Sequence, residues 1–187
     1  VISGEPRSAT VEAIDEVALL MAPDHVHPAL NGANQSQLMN TMVTQCERLA
    51  DRFAILSVGG GQGLVQNIFP PRDTSYAATY YPWVRVFDPF TRDSVLVPPI
   101  GHVAGIYARS DRERGVHKAP ANEVVRDIIT RDINATRKPL EFTLGRGEND
   151  ILNPRGINVI RDFRADRRGI RVWGARTLSG DPLWRYV

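Results

Sequence analysis

Three clusters in this chain combine residue types that could do chemistry: Gly59-Gly60-Gly61-Gln62-Gly63, His25-Val26-His27, and His102 within Gly101-His102-Val103-Ala104-Gly105. A glycine-rich turn after a strand can cradle a phosphate or dinucleotide on its backbone N–H groups. The first cluster follows an apolar run, but a dinucleotide turn needs a third glycine at position 64, which is Leu64. No Lys-Ser or Lys-Thr pair follows, and Pro70-Pro71 interrupts any helix. The reading is a flexible loop. His25 and His27 sit at alternate positions, as two imidazoles on one face of a strand would. A metal needs at least a third ligand, and neither a His-Glu-x-x-His pattern nor a cysteine pair supplies one. They read as surface histidines. Cys46, the single cysteine, can build neither a disulfide nor a cysteine-based zinc site, and it reads as a buried thiol within a helix.

The third cluster resembles the segment around the histidine of subtilisin-type proteases. A triad also needs a serine on a tight turn and an acid that orients the imidazole. Ser179-Gly180 has no preceding Gly-Thr pair, and Asp73-Thr74-Ser75 lacks the glycine of the protease acid motif. His102 falls in the first turn of a helix, where the positive end of the dipole disfavours a second proton. A subtilisin-like serine hydrolase is therefore the alternative reading, with no catalytic, cofactor-binding or metal-ligating residue assigned.

These clusters hang on elements that the pattern supplies in alternation. Val17–Ala22 is a short apolar run ended by Pro23, as for a buried strand. Ser36 can cap a helix reaching about Arg52, with Leu38, Met39, Met42, Val43, Cys46 and Leu49 along one face. Phe53–Val58 is a second apolar strand, and strand–helix–strand implies a parallel βαβ unit. After the loop 59–74 comes an aromatic, β-branched strand, Tyr80–Val86, with Pro82 at an edge, bulge or start. Ser94–Val97 returns as a hairpin. Pro98-Pro99 opens a helix carrying Ile100, Val103, Ala104, Tyr107 and Ala108 on one face, and Gly115 stops it. Asn122–Ile133 fits helix or strand. A short helix spans Gly147–Leu152, and strands at Ile157–Ile160 and Ile170–Trp173 flank an arginine-rich bend, Arg164–Gly169. The expected class is α/β: a mixed, largely parallel sheet flanked by helices. Residues 1–10 read as a linker and 11–187 as one domain.

Composition narrows the function classes. The chain has 187 residues, 42% hydrophobic and 24% charged, with a mean hydropathy of -0.26. That excludes a disordered chain and a membrane bundle. The net charge of +2 is too weak for a groove binder of nucleic acid. Of 23 basic residues only Lys118 and Lys138 are lysines, and arginine's planar, permanently charged fork suits protein–protein contacts. No secretory signal pattern opens the sequence. Leu183-Trp184-Arg185-Tyr186-Val187 reads as a strand just starting, so the chain is expected to be a fragment truncated at its C-terminal end.

Five segments occur in one order: Tyr80-Tyr81-Pro82-Trp83, the run from Val97 through Gly101-His102-Val103-Ala104-Gly105 to Arg109, Arg114-Gly115-Val116-His117-Lys118-Ala119-Pro120-Ala121-Asn122, Leu152-Asn153-Pro154-Arg155-Gly156-Ile157-Asn158-Val159-Ile160, and Ile170-Arg171-Val172-Trp173-Gly174-Ala175-Arg176-Thr177-Leu178. Together they resemble the contractile tail sheath proteins of bacteriophages and of pyocin-like injection particles. The likeness is specific from about Ser75 onward and is one of pattern from Val11 to Val58. It implies a domain called subtilisin-like for its architecture and not for proteolysis, in a structural subunit without cofactors. It also implies hexameric rings stacked helically around an inner tube, contraction triggered from the baseplate, a tail terminator protein, and a place in the virion tail after assembly in the host bacterial cytoplasm. The neighbouring arms of that family would be missing, so the fragment alone is expected to be monomeric. Contacts to acidic patches of neighbouring subunits are expected from Arg109, Arg112 and Arg114 and from Arg164, Arg167 and Arg168. Neither nucleic acid nor membrane is an expected partner.

Overall fold

The computed structural model describes residues 11–129 and 138–186. The expected linker at 1–10 and the last four residues, 130–133, of the ambiguous segment 122–133 lie outside the described residues. A five-stranded sheet runs β1–β2–β3–β6–β7 in space. Its strands are β1 (Leu19–Leu20), β2 (Phe53–Ser57), β3 (Ala77–Tyr81), β6 (Ile157–Asp162) and β7 (Ile170–Trp173). The first three pairings are parallel and the last is antiparallel, with Leu56 opposite Thr79, Tyr80 opposite Asn158 and Arg161 opposite Arg171. β2 and β3 read as unbroken buried runs because a parallel strand covered on both faces has no solvent side.

Alternation along β2 separates two cores. Ile55, together with Tyr80 from β3, points into a cluster with Val103, Ile106 and Tyr107 of helix α2 (Ile100–Arg114). Ala54 and Leu56 point the other way, against Met42, Val43 and Cys46 of helix α1 (Gly32–Leu49). A third cluster joins Tyr81, Leu152 and Val159 beneath helix α3 (Arg146–Leu152) and the loop residues Val65 and Ile68. The fold is the mixed, largely parallel α/β class expected.

Four expectations change in detail. α1 begins at Gly32, because the Asn31 side chain accepts the Asn34 N–H (2.8 Å); Ser36 lies inside the helix. The aromatic run is two strands. β3 ends at Tyr81, a cis Tyr81–Pro82 bond follows, and Val84–Asp88 (β4) pairs with Asp93–Val97 (β5) in a separate antiparallel hairpin. The glycine loop is held down. Arg155 donates to the carbonyls of Gln66 (2.9 Å) and Ile68 (2.8 Å), Tyr81 Oη donates to Gln62 O (2.6 Å), and Gly61 N–H reaches Glu141 (2.6 Å). Gly60 lies against the Trp83 indole: a Cβ there would stand 3.2 Å from the ring, which would have to give by a few tenths of an ångström. Finally, the described part of 122–133 is neither helix nor regular strand but a loop with one isolated antiparallel bridge, Val124 to Arg171, and left-handed backbone at Asn122 and Asp127. It bonds to β7 through Asn122 N–H to Val172 O (2.8 Å) and Val125 N–H to Ile170 O (2.9 Å), covering that edge.

Candidate subunit interface

The helix that presents the first arginine group ends where its sequence says it should. Gly115 takes φ 94°, and the cations Arg112 and Arg114 lie in the last turn, favoured by the negative end of the dipole. The three arginines differ in what they hold. Arg109 is turned inward, its side chain only 16% exposed, and donates to Val124 O (3.0 Å) beside Glu123 (3.8 Å). Arg114 pairs with the same Glu123 at 2.8 Å, and Lys118 approaches it at 3.7 Å. Glu123 thus ties the end of α2 to the segment that covers β7. Arg112 projects outward, 78% exposed, with Glu113 at 3.7 Å.

The second group lies on the bend between β6 and β7. Arg164 grips both carboxylate oxygens of Asp162 at 2.7–2.9 Å. Burial pushes the Asp162 carboxyl up, but the hydrogen bonds and charge of Arg164 outweigh it and hold its pKa below the usual range. Arg168 donates to Asn122 Oδ1 (2.9 Å) and lies over the Phe163 ring. Arg167, at φ 59°, is exposed and has no polar side-chain partner among the described residues. Beside them Arg161 is sandwiched against Trp173 (4.3 Å) and Phe163 (4.8 Å), a cation–π stack the sequence reading missed. Arg112 and Arg167 therefore direct their charge mainly to the surroundings, whereas Arg109 and Arg164 use theirs within the fold.

The histidines and the cysteine form no reactive centre. His102 is half-buried, and burial lowers its pKa although Asp127 opposes the shift. No serine is hydrogen-bonded to it among the described residues. His25 is not on the surface as expected but fully buried. Its Nδ1 meets Ala22 O at 2.7 Å and its Nε2 accepts the Ser57 N–H at 3.1 Å, closing the end of β2. Burial pushes the Cys46 thiol up to about 11, which leaves it unreactive. No group of three or more metal-ligating side chains occurs among the described residues. Among those residues, too, no helix is long and apolar enough to cross a membrane.

Comparison with known proteins gives the arrangement its setting. Residues 7–178 match the phage tail sheath protein central domain. A prophage major tail sheath protein of Pseudomonas aeruginosa (strain UCBPP-PA14) is 29% identical over 185 residues, covering 90% of this chain and 40% of that protein. The helical sheath of the anti-feeding prophage in its contracted state matches with a TM-score of 0.72 at 29% identity, over 95% of this chain and 43% of that one. The sheath complex of an extracellular contractile injection system, PVC, also contracted, gives 0.69 at 27% identity, over 96% and 46%. The chain spans about two fifths of the length of these relatives. Nothing in the comparisons supports the serine-hydrolase alternative, and the matched family is structural, not enzymatic. With a sheet core closed on both faces and arginines at the surface, this chain is a member of the phage tail sheath protein central domain family.

Proposed function

We propose that this chain is the central part of a sheath subunit that polymerises around an inner tube, in helically stacked six-membered rings, and contracts to drive the tube through a target cell envelope. The observation that carries the reading is the likeness, over 95% of the chain, to a helical sheath in the contracted state. Contraction needs bodies that stay rigid while their contacts change. Two cores packed on opposite faces of one sheet suit that role. The partners in this reading are other sheath subunits, the inner tube, the baseplate and the terminator protein, with assembly in the host bacterial cytoplasm. The likeness to a chain in the anti-feeding prophage baseplate structure supports the baseplate among them. The surface arginines, Arg112 and Arg167 foremost, face acidic patches of neighbours in one of the two lattices. The 187-residue stretch alone is monomeric or weakly associated.

Electron microscopy of the full-length protein tests the reading. Tubes or stacked rings are expected, together with no serine labelling by a fluorophosphonate probe. Dispersed monomers under conditions that assemble related sheaths, or a labelled serine, would overturn it.

A further inference from the structure

The bend between β6 and β7 gathers charge that the fold does not cancel. From Arg161 to Arg171 stand five arginines and two aspartates. Arg164 takes both oxygens of Asp162. Among the described residues, Asp166 pairs with no arginine, and Arg161, Arg167, Arg168 and Arg171 have no carboxylate partner. Register sharpens the imbalance. Arg161 on β6 lies directly opposite Arg171 on β7, so both side chains leave the same face of the sheet. Like charges so placed repel. Arg171 is drawn aside, donating through Nε to Arg168 O (2.6 Å) and through Nη1 to Asn122 O (2.6 Å). Those carbonyls accept its N–H groups but bring no negative charge.

Arg161 is fixed differently. Phe163 and Trp173 meet edge to face, with ring centroids 5.6 Å apart and planes at 82°, and the guanidinium lies against both rings. All three residues are half-buried. The rings set the orientation of the fork, yet its N–H donors have no oxygen partner among the described residues. A carboxylate meets the edge of a guanidinium with two parallel hydrogen bonds. A fork already held still loses little freedom when it binds.

We propose that this aromatic corner is a carboxylate site: the Arg161 fork, with Arg171 beside it, takes an aspartate or glutamate side chain carried by the part of the same subunit that lies outside this chain. The chain spans about two fifths of the length of its relatives. In a subunit of their length, the other three fifths ride on the same polypeptide. A carboxylate tethered there meets the fork at a raised effective concentration before assembly brings any second copy near. Its charge would relieve the repulsion between Arg161 and Arg171. The inference rests on the reading of this chain as the central part of a sheath subunit, and it names a contact that joins that part to the rest.

The test uses the full-length protein carrying Arg161→Lys, prepared as a mixture of isotopically light and heavy subunits. It is treated with a water-soluble carbodiimide, which joins an amine to a carboxylate in direct contact. Lys118, 3.7 Å from Glu123, reports that the coupling works. Mass spectrometry is expected to find position 161 joined to an aspartate or glutamate outside these 187 residues, in light–light and heavy–heavy pairs only. Arg171→Lys, directly across the strand pair, should reach the same acid. Arg161→Glu should lower the unfolding midpoint of the full-length subunit, and exchanging the linked acid for arginine in the same chain should recover most of that loss. Light–heavy pairs would put the acid on another copy, and a link to a different protein would put it there; either result overturns the inference. So does a link confined to Asp162 or Asp166, or no link from either variant. Each of these leaves the sheath reading standing while wild-type protein forms tubes. Wild-type protein that forms no tubes fails the sheath reading, a result read independently of the link.

Discussion

His25 is where residue chemistry bears most directly on the fold. The neutral ring accepts the Ser57 N–H on Nε2, and with a proton on Nδ1 it donates to Ala22 O. Burial pushes its pKa below the ordinary 6.5, although the carbonyls of Ala22 and Ser57 pull the other way. In the unfolded chain it titrates near 6.5. The unfolded state thus binds more protons as pH falls through that value, and stability present at neutral pH is lost downward from 6.5 through the lowered folded pKa. The denaturant midpoint should be lower at pH 5.5 than at pH 7.5. His25→Leu should flatten this slope and cost about 1–3 kcal/mol at pH 7.5, because it strands a buried N–H. His102 is lowered by burial too, so His102→Gln is the control: it should keep most of the slope. A slope unchanged in His25→Leu would refute the assignment. Nothing in His25-Val26-His27 distinguishes a buried ring from a surface one. What decides it is Ser57, 32 positions away, whose amide has no strand partner at that end of β2.

At the scale of elements, what was legible followed from local pattern, and what was not depended on distant partners. α2 is written in its i, i+3, i+4 apolar spacing and in Gly115. β2, β6 and β7 follow from short β-branched runs bounded by turns. The break within Tyr80–Val86 escaped because both halves carry the same residue types; only their partners, β2 and β6 for one and β5 for the other, separate them. The candidate arginines were legible as a class but not as individuals, since Glu123 and Asp162 select which of them turn inward. Asn158 shows the same dependence. It is fully buried on β6, and its amide pairs with the backbone of Arg176 like a piece of strand, Nδ2 donating to the carbonyl and Oδ1 accepting the N–H, both at 2.8 Å. It thereby holds the chain beyond β7 against the sheet. Glycine at Gly174 leaves the room, as a Cβ there would fall 2.6 Å from Asn158 Oδ1. Asn158→Leu removes both bonds from backbone groups that cannot all reach water. The expected cost is about 2–4 kcal/mol, or a melting temperature lower by about 5–15 °C for a chain of this size. Calorimetry checks it, and a drop of less than a degree or two would show that Asn158 carries no such role.

For the whole molecule, the arrangement of arginines divides stability from association. Arg109 and Arg164 are engaged within the chain, so reversing their charge should act on folding. Arg109→Glu would set a second carboxylate beside Glu123 and leave Val124 O without its donor. Arg164→Glu would face Asp162 directly. Both should lower the melting temperature before any effect on assembly is read. Arg112 and Arg167 project outward, and their reversal should leave the fold within about 0.5 kcal/mol of wild type. Single exposed ion pairs contribute only about 0.2–1 kcal/mol, too little to hold two copies together. In a lattice the same pair recurs at every subunit, so a small term per copy becomes a large difference between two packings. The effect should also fade with salt, since screening sets in over about 8 Å at physiological ionic strength. Full-length Arg112→Glu/Arg167→Glu should therefore unfold like wild type yet assemble into shorter tubes at low salt, with the gap narrowing as salt rises. Tubes of wild-type length at every salt concentration would mean that these two charges meet no acidic neighbour.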